Sequence, residues 1–250
     1  MTVRSVSILA AAFACGLALA GANPALAQPR NTKLGDIFHR PPGAQPGNPI
    51  VGRYGVERGP GFVLDRSSSA TPLLKYENSN EIWVLQPRPA GRGDMVFTND
   101  AGDIVLRATR LGGLIVFTED RPQGVPASLR GVAQPIPTDV VMTPGGFVRR
   151  MNDALQRLSD LDSNFKKISF NSDDSAAPLL AEAANITVQA VQSAVRRKKT
   201  KTVESLERLV LRDGPAPGVA FDRGVLTITV TPGLGVAGRP SSEKIARALR

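Results

Sequence analysis

The chain has 250 residues, a formal net charge of +9 at pH 7, one cysteine and one histidine. These counts exclude an intrachain disulfide framework and argue against a zinc site of ordinary composition or a Ser-His-Asp triad. A positive charge of this size favours anionic partners such as lipid head groups or acidic polymers, although it also serves solubility alone. Because the chain has one cysteine and one histidine, we expect no metal site.

The amino-terminal segment has the three parts of an export signal. Arg4 supplies the basic start, an apolar run follows to Ala20, and the small residues Ala25 and Ala27 precede the expected cut. The apolar run is shorter than the roughly 20 residues needed to span a bilayer. We predict that residues 1–27 are a signal peptide cleaved after Ala27, which leaves a periplasmic or secreted chain without a transmembrane segment. Export argues against nucleic acid as a partner.

The next segments predict an arm and then a strand-rich region. Residues 28–60 are rich in proline and glycine and lack any sustained period, which predicts a flexible or loosely docked arm. Residues 61–250 are expected to form one α+β domain, in which 61–118 is an antiparallel meander of short strands separated by turn residues. Residues 119–137 are punctuated by prolines and are expected to be a connection. The predicted strands are 62–64, 73–77, 82–86, 94–98, 104–109 and 114–118.

Two amphipathic helices are predicted within residues 143–200. Thr143-Pro144 is typical of a cap followed by proline at the first helical position, and apolar residues then recur at three- and four-residue steps. The second helix is expected to begin after Asp173-Asp174-Ser175. Within residues 204–250 we expect strands at 206–211 (or a helix there), 219–221 and 225–230, followed by a short terminal helix at 241–249. Strands, helices, strands and a helix in this order are typical of the α+β class.

Two stretches carry a resemblance to a known family. They are Glu81-Ile82-Trp83-Val84-Leu85 through Arg110-Leu111-Gly112-Gly113 to Phe117-Thr118, and Pro232-Gly233-Leu234-Gly235 through Gly238-Arg239-Pro240-Ser241-Ser242. The chain resembles an uncharacterised family of secreted proteobacterial proteins, filed as a domain of unknown function. The resemblance covers most of the mature chain and implies export and one shared architecture. It transfers no catalytic residue and no cofactor to any position.

The loop before the terminal helix is the first candidate site. Residues 233–238 match G-x-G-x-x-G, but only twelve residues follow Gly238, so the acidic residue that binds a ribose is missing and we expect no nucleotide cofactor. A weaker hypothesis is that Arg239, Ser241 and Ser242, with the amides of the helix start, bind a phosphate or carboxylate. We favour a purely structural loop with a serine cap, in which Arg239 lies outside the core and Gly238→Val is destabilising if Gly238 has positive φ. Arg239→Ala should then leave stability unchanged.

The second candidate is a basic patch at the end of the second helix. Its members are Arg196, Arg197, Lys198, Lys199 and Lys201. They could bind an anionic membrane surface or acidic polymer. We favour the other interpretation, in which they form a solvated helix end whose charge complements the negative end of the helix dipole.

Catalysis has weaker support in the sequence. Ser241-x-x-Lys244 matches the spacing of a Ser-Lys nucleophile, but the K-T-G triplet that accompanies it is absent. Carboxylates such as Glu81 and Asp94 would form a hydrolytic pair only if the fold brought two of them together. The leading hypothesis is an exported envelope protein that binds or scaffolds an anionic envelope component without catalysis. The alternative is an envelope hydrolase that uses a carboxylate pair or Ser-Lys.

Overall fold

The computed structural model describes residues 50–68, 71–138, 142–171, 174–197 and 203–250. These residues all belong to one unit, Arg40–Arg250. The predicted signal peptide, most of the predicted arm, and Lys198, Lys199 and Lys201 of the predicted basic patch lie outside the described residues. The unit combines two sheets with three α-helices, which confirms the α+β class.

The first sheet has nine strands, and each neighbouring pair is antiparallel. Its spatial order is β4-β3-β2-β1-β9-β8-β7-β6-β5. The strands are β1 (Val51–Val56), β2 (Phe62–Asp65), β3 (Leu73–Tyr76), β4 (Ile82–Val84), β5 (Gln86–Pro89), β6 (Met95–Thr98), β7 (Ile104–Ala108), β8 (Leu114–Thr118) and β9 (Arg121–Val132). The predicted antiparallel meander is confirmed for β2-β3-β4 and for β6-β7-β8, and the structure extends the second run by β5 and β9.

The two edges of this sheet are joined by a single residue. Edge strands β4 and β5 follow each other in the chain, with Leu85 alone between them. The sheet therefore curls until its edges are neighbours, and Leu85 is fully buried inside it. Inward side chains from the other strands, including Phe62, Phe97 and Leu106, pack with Leu85 in one apolar cluster. The nonlocal pair that completes the sheet is β1 with β9.

Two strands of the first sheet lie wholly where the sequence predicted none, and a third, β5, shares only Gln86 with a predicted strand. β1 occupies the end of the predicted arm, yet Tyr54 in its middle is 2% exposed and stacks on Phe62 at a ring distance of 5.4 Å. Residues 51–56 are therefore not part of an arm. β9 runs through the predicted proline-punctuated connection, and its register with β8 shifts between Val116 and Thr118. Such a bulge accommodates prolines that an unbroken central strand would not.

The second sheet has four strands in the order β10-β11-β13-β12. These are β10 (Lys167–Asn171), β11 (Arg208–Asp213), β12 (Gly218–Asp222) and β13 (Val225–Val230). β11 is parallel to both β10 and β13, whereas β12 and β13 form an antiparallel hairpin. Alternate residues such as Leu209, Leu211 and Ile228 are fully buried, so one face of the sheet packs on the core. For residues 206–211 the sequence left both a strand and a helix open, and the structure forms strand β11 there from Arg208 onward.

Three α-helices complete the unit: α1 (Pro144–Leu161), α2 (Ala177–Arg196) and α3 (Ser242–Ala248). The predicted cap of α1 is confirmed, because the Thr143 hydroxyl accepts a hydrogen bond from the Gly146 amide at 3.1 Å. α2 begins after a 3-10 turn at Asp174–Ala176, and it packs against α1, α3 and the second sheet. The α2 residues from Leu179 to Ala194 provide much of the second apolar cluster. This helix thus lies at the centre of the carboxyl-terminal half.

Candidate functional site

The start of α3 is bound to the first sheet through two carboxylates. The amide and hydroxyl of Ser242 both donate to Glu81, at 2.8 and 2.6 Å. The amide of Ser241 donates to Asp100 at 3.0 Å, and its hydroxyl donates to the other oxygen of the same carboxylate. Glu81 and Asp100 come from two loops of the sheet, and they satisfy amides that lack partners within α3.

Arg239 extends the same junction into the protein interior. Its side chain is 3% exposed and its Nε lies 2.7 Å from a carboxylate oxygen of Glu182 on α2. Its Nη2 donates to the carbonyl of Ile82 on β4 at 3.1 Å. One arginine therefore joins α2, the loop before α3 and an edge strand of the first sheet. The expectation that Arg239 lies outside the core is wrong.

The loop does recognise carboxylates, but they belong to the chain itself. Arg239, Ser241 and Ser242 were the three donors of the weaker hypothesis that this loop binds an external anion, and here they bind Glu182, Asp100 and Glu81. The amide of Lys244 donates to the Ser241 hydroxyl at 3.2 Å, as in an ordinary serine cap. The structure thus accounts for every one of these donors without a ligand.

Glu81 is the carboxylate whose ionisation this junction changes most. Burial raises its pKa above the ordinary value of 4.5, against the opposing effects of the Ser242 hydrogen bonds and of the Arg239 charge. The neighbouring Asp100 charge raises the pKa further. Because its pKa is raised on folding, Glu81 contributes stability at low pH that is lost as the pH rises above 4.5 toward the folded-state pKa.

Glu81→Gln should remove this contribution while keeping the size of the side chain and an acceptor for the Ser242 amide. The free energy of unfolding of the wild type should fall, relative to the variant, as the pH rises from 4 to 7.5. Urea denaturation of both proteins across this range measures the difference. If the free energy of unfolding of the wild type instead rises relative to that of the variant, the Ser242 hydrogen bonds and the Arg239 charge outweigh desolvation in setting the pKa of Glu81.

A cavity of about 1140 Å³ lies between one end of the curled sheet and the helices α2 and α3. Four loops of the first sheet contribute to it, namely β1–β2, β3–β4, β6–β7 and β8–β9. Each joins two antiparallel neighbours at the same end of the sheet. The cavity is somewhat larger than the roughly 300–1,000 Å³ typical of small-molecule sites, which are mostly apolar with a few placed polar groups.

The sheet side of the cavity is apolar. Six strands contribute apolar residues, among them Val56, Tyr76, Trp83, Val105, Val116 and Val125. These six residues belong to the apolar cluster of the first sheet or pack against it. Tyr76 and Trp83 meet edge to face at 6.3 Å, and burial raises the pKa of Tyr76 to about 12, so its hydroxyl stays neutral. Hydrocarbon and ring surface thus lie together at this end.

The rim of the cavity is cationic in excess. Arg58, Arg121 and Arg196 line it, and among the described residues none of the three makes an ion pair or a side-chain hydrogen bond. Two further arginines are neutralised: Arg197 binds Glu119 and Glu243, and Arg250 binds the same two carboxylates at 3.4 and 3.0 Å. Arg247 likewise binds Asp103, at 2.5 Å. Arg58, Arg121 and Arg196 therefore line the cavity without an ion pair in the described part of the chain. Of the lining carboxylates among the described residues, Asp120 alone takes no part in the ion pairs just named.

Arg196 and Arg197, the two described members of the predicted basic patch, have different surroundings. Arg196 is exposed in the last turn of α2 and lines the cavity, whereas Arg197 turns to the Glu119 and Glu243 carboxylates. The sequence offered no sign that Arg58 and Arg121 line the same cavity as Arg196, because the three residues belong to different elements that only the fold brings to one cavity. Of the predicted loop residues, Ser242 lines the cavity.

Fold and site together define an α+β protein without an intrachain disulfide, in which two helices cover an arginine-lined cavity at the end of a curled sheet. The chain belongs to the family described as domain of unknown function DUF4908, which matches residues 33–249. The resemblance to an uncharacterised domain family is thus confirmed. No curated protein and no solved structure matches the chain. Within the described ranges, no helix combines the length and hydropathy needed to cross a bilayer.

Proposed function

We propose that this chain is an exported protein of the bacterial envelope that binds an anionic envelope component without changing it chemically. The observation that carries the proposal is the group of Arg58, Arg121 and Arg196 at the cavity, which lack carboxylate partners among the described residues. Unpaired guanidinium groups beside a concave site favour an anion, above all a carboxylate or phosphate. The sequence pattern of residues 1–27 supports export, with a mature chain that begins at Gln28.

A lipid head group suits this site better than an acidic polymer. The arginines line a concave, partly open cavity instead of an extended flat face. A polymer would need a groove along which successive charges bind, whereas one head group needs only a local cluster of donors. The apolar side chains behind the arginines agree with a lipid partner.

The test is binding to anionic vesicles. The full chain should bind vesicles that contain phosphatidylglycerol and not vesicles of phosphatidylcholine alone. The double variant Arg58→Gln/Arg121→Gln should bind about thirtyfold more weakly, because each basic side chain near a charged bilayer contributes about 1 kcal/mol. Cosedimentation at fixed ionic strength measures the loss.

The matched control is Arg149→Gln/Arg150→Gln. It removes the same charge from exposed positions on α1 that do not line the cavity. Equal losses in the two double variants would show that net charge and not the cavity drives binding, and would contradict the proposal.

The alternative function is a hydrolase that uses a carboxylate pair, and Glu81 with Asp100 is the specific observation in its favour. Their charges interact, and Glu81 is buried with a raised pKa, as in a general acid. All the same, both carboxylates are engaged by Ser241 and Ser242, and neither lines the described cavity. Hydrolysis of an ester or glycoside by the wild type that is lost in Glu81→Gln would favour this alternative.

A further inference from the structure

The cavity lining combines two chemically different groups of side chains, an apolar group called here its apolar end and the arginines called here its polar end. Val56, Tyr76, Trp83 and Val125 are partly buried side chains whose remaining surface contributes to its wall. The polar end consists of the three arginines that line the same cavity, of which Arg58 and Arg196 are exposed. A wholly polar anion would use the arginines and leave the apolar wall in contact with water. A ligand that covers both ends must be amphiphilic.

The ion pairs at the cavity show which of its arginines are free to bind an anion. Glu119 and Glu243 hold Arg197 and Arg250 in a square of alternating charge that joins the β8–β9 loop to α2 and α3. These contacts fix the helices over the cavity and leave no net charge there. The three remaining arginines, less the charge of Asp120, leave a formal excess of two positive charges, which an anionic head group complements.

The apolar end is fixed by the sheet. Apolar residues from six strands form it, and Val105 and Val116 are 3% and 1% exposed. Behind them the interior is filled by fully buried side chains such as Phe97 and Leu106. Hydrocarbon in the cavity would therefore lie across the end of the sheet, beneath α2 and α3, and would not penetrate its core.

Resting on the proposed function, we infer that the ligand is an anionic amphiphile bound inside this cavity. Its carboxylate or phosphate binds Arg58, Arg121 and Arg196, and its hydrocarbon chain contacts the apolar wall. Trp83 lies in that wall and is the single tryptophan of the chain. Its fluorescence consequently reports occupation of the apolar end without any label.

The test is a chain-length series, followed by Trp83 emission at concentrations below micelle formation. Acetate, octanoate and dodecanoate share one head group, so only the hydrocarbon differs. From octanoate to dodecanoate the affinity of the full chain should rise roughly a hundredfold, which corresponds to a three- to fourfold gain for each buried methylene. Dodecyl phosphate should bind like dodecanoate, and uncharged dodecyl maltoside should bind at least tenfold more weakly.

Two matched pairs of variants test the two ends separately. Val125→Thr should weaken dodecanoate severalfold without affecting acetate, whereas Val148→Thr, on the exposed face of α1, should change neither. Arg58→Gln/Arg121→Gln should weaken both carboxylates, and Arg149→Gln/Arg150→Gln should weaken neither. The chain-length series uses the unaltered protein, so the result does not depend on the folding of any variant.

The outcomes separate this inference from the function on which it rests. If acetate and dodecanoate bind equally, or if dodecyl maltoside binds as tightly as dodecanoate, the inference is overturned. Dodecanoate binding that Arg58→Gln/Arg121→Gln leaves intact overturns it as well. Arginine-dependent binding to anionic vesicles would stand in each of these cases, and the proposed function fails only if that vesicle binding is absent.

Discussion

Replacing Arg239 by methionine is expected to lower the free energy of unfolding by about 3 kcal/mol or more, because the change leaves the Glu182 carboxylate without its partner in a largely buried position. The Arg239 side chain is 3% exposed and that of Glu182 is 19% exposed. The carbonyl of Ile82 loses a charged donor in the same step. Denaturation in urea measures the loss.

Arg247→Met is the matched control for this prediction. Arg247 also joins α3 to the first sheet, with bonds of 2.5 Å to the carbonyl of Ala101 and to the Asp103 carboxylate. Its side chain is 45% exposed, so the pair is screened by water, and exposed pairs contribute about 0–1 kcal/mol. Equal losses in Arg239→Met and Arg247→Met would show that burial does not set the contribution of these arginines.

A double-mutant cycle separates the pair from the rest of the junction. Glu182→Gln should cost much less in the Arg239→Met background than in the wild type, because the carboxylate is unpaired there already. The sequence alone led to the opposite expectation for Arg239, since an arginine that follows a glycine-rich loop is exposed in most proteins. Its two partners lie 57 and 157 residues away.

Local structure was predictable where the apolar residues follow a clear period. The strand at residues 225–230 and the two long helices were predicted close to their observed bounds, because Leu226, Ile228 and Val230 alternate and α1 and α2 carry apolar stripes. β1 was missed because Gly52 and Gly55 interrupt its pattern. Neighbouring side chains explain these glycines: a Cβ at Gly52 would lie 2.8 Å from the Tyr54 ring, and one at Gly55 would lie 2.4 Å from Arg130.

The candidate site was predictable in its chemistry and not in its partners. Arg239, Ser241 and Ser242 were identified as donors suited to a carboxylate, and they do bind carboxylates. That these are Glu81, Asp100 and Glu182 follows from contacts between elements far apart in the chain, which local patterns do not record. Of the cavity arginines, Arg196 was identified as part of the basic patch, whereas Arg58 and Arg121 were missed for the same reason, since each is an ordinary charged residue in its local sequence.

Gly238→Ala is expected to lower the free energy of unfolding by about 3 kcal/mol or more, through a clash that no side chain can relieve. A Cβ at this position would lie 2.0 Å from the carbonyl oxygen of Thr231 and 2.9 Å from its carbonyl carbon. The Thr231 amide meanwhile donates to the Gly238 carbonyl at 2.7 Å, so the two backbones are held together. Relief of the clash requires this bond to lengthen and β13 to separate from the loop.

Two other glycines of the same loop are matched controls, because they separate close approach from backbone conformation. Gly235 has φ of 53° with open space around it, so Gly235→Ala should cost about 1–3 kcal/mol through strain alone. Gly233 has neither positive φ nor a neighbour within 4 Å, and Gly233→Ala should be neutral or stabilising by up to about 1 kcal/mol. The expected order of loss is Gly238, then Gly235, then Gly233. The sequence analysis considered positive φ at Gly238, whereas the structure has it at Gly235. A greater loss in Gly235→Ala than in Gly238→Ala would mean that backbone conformation and not close packing governs this loop.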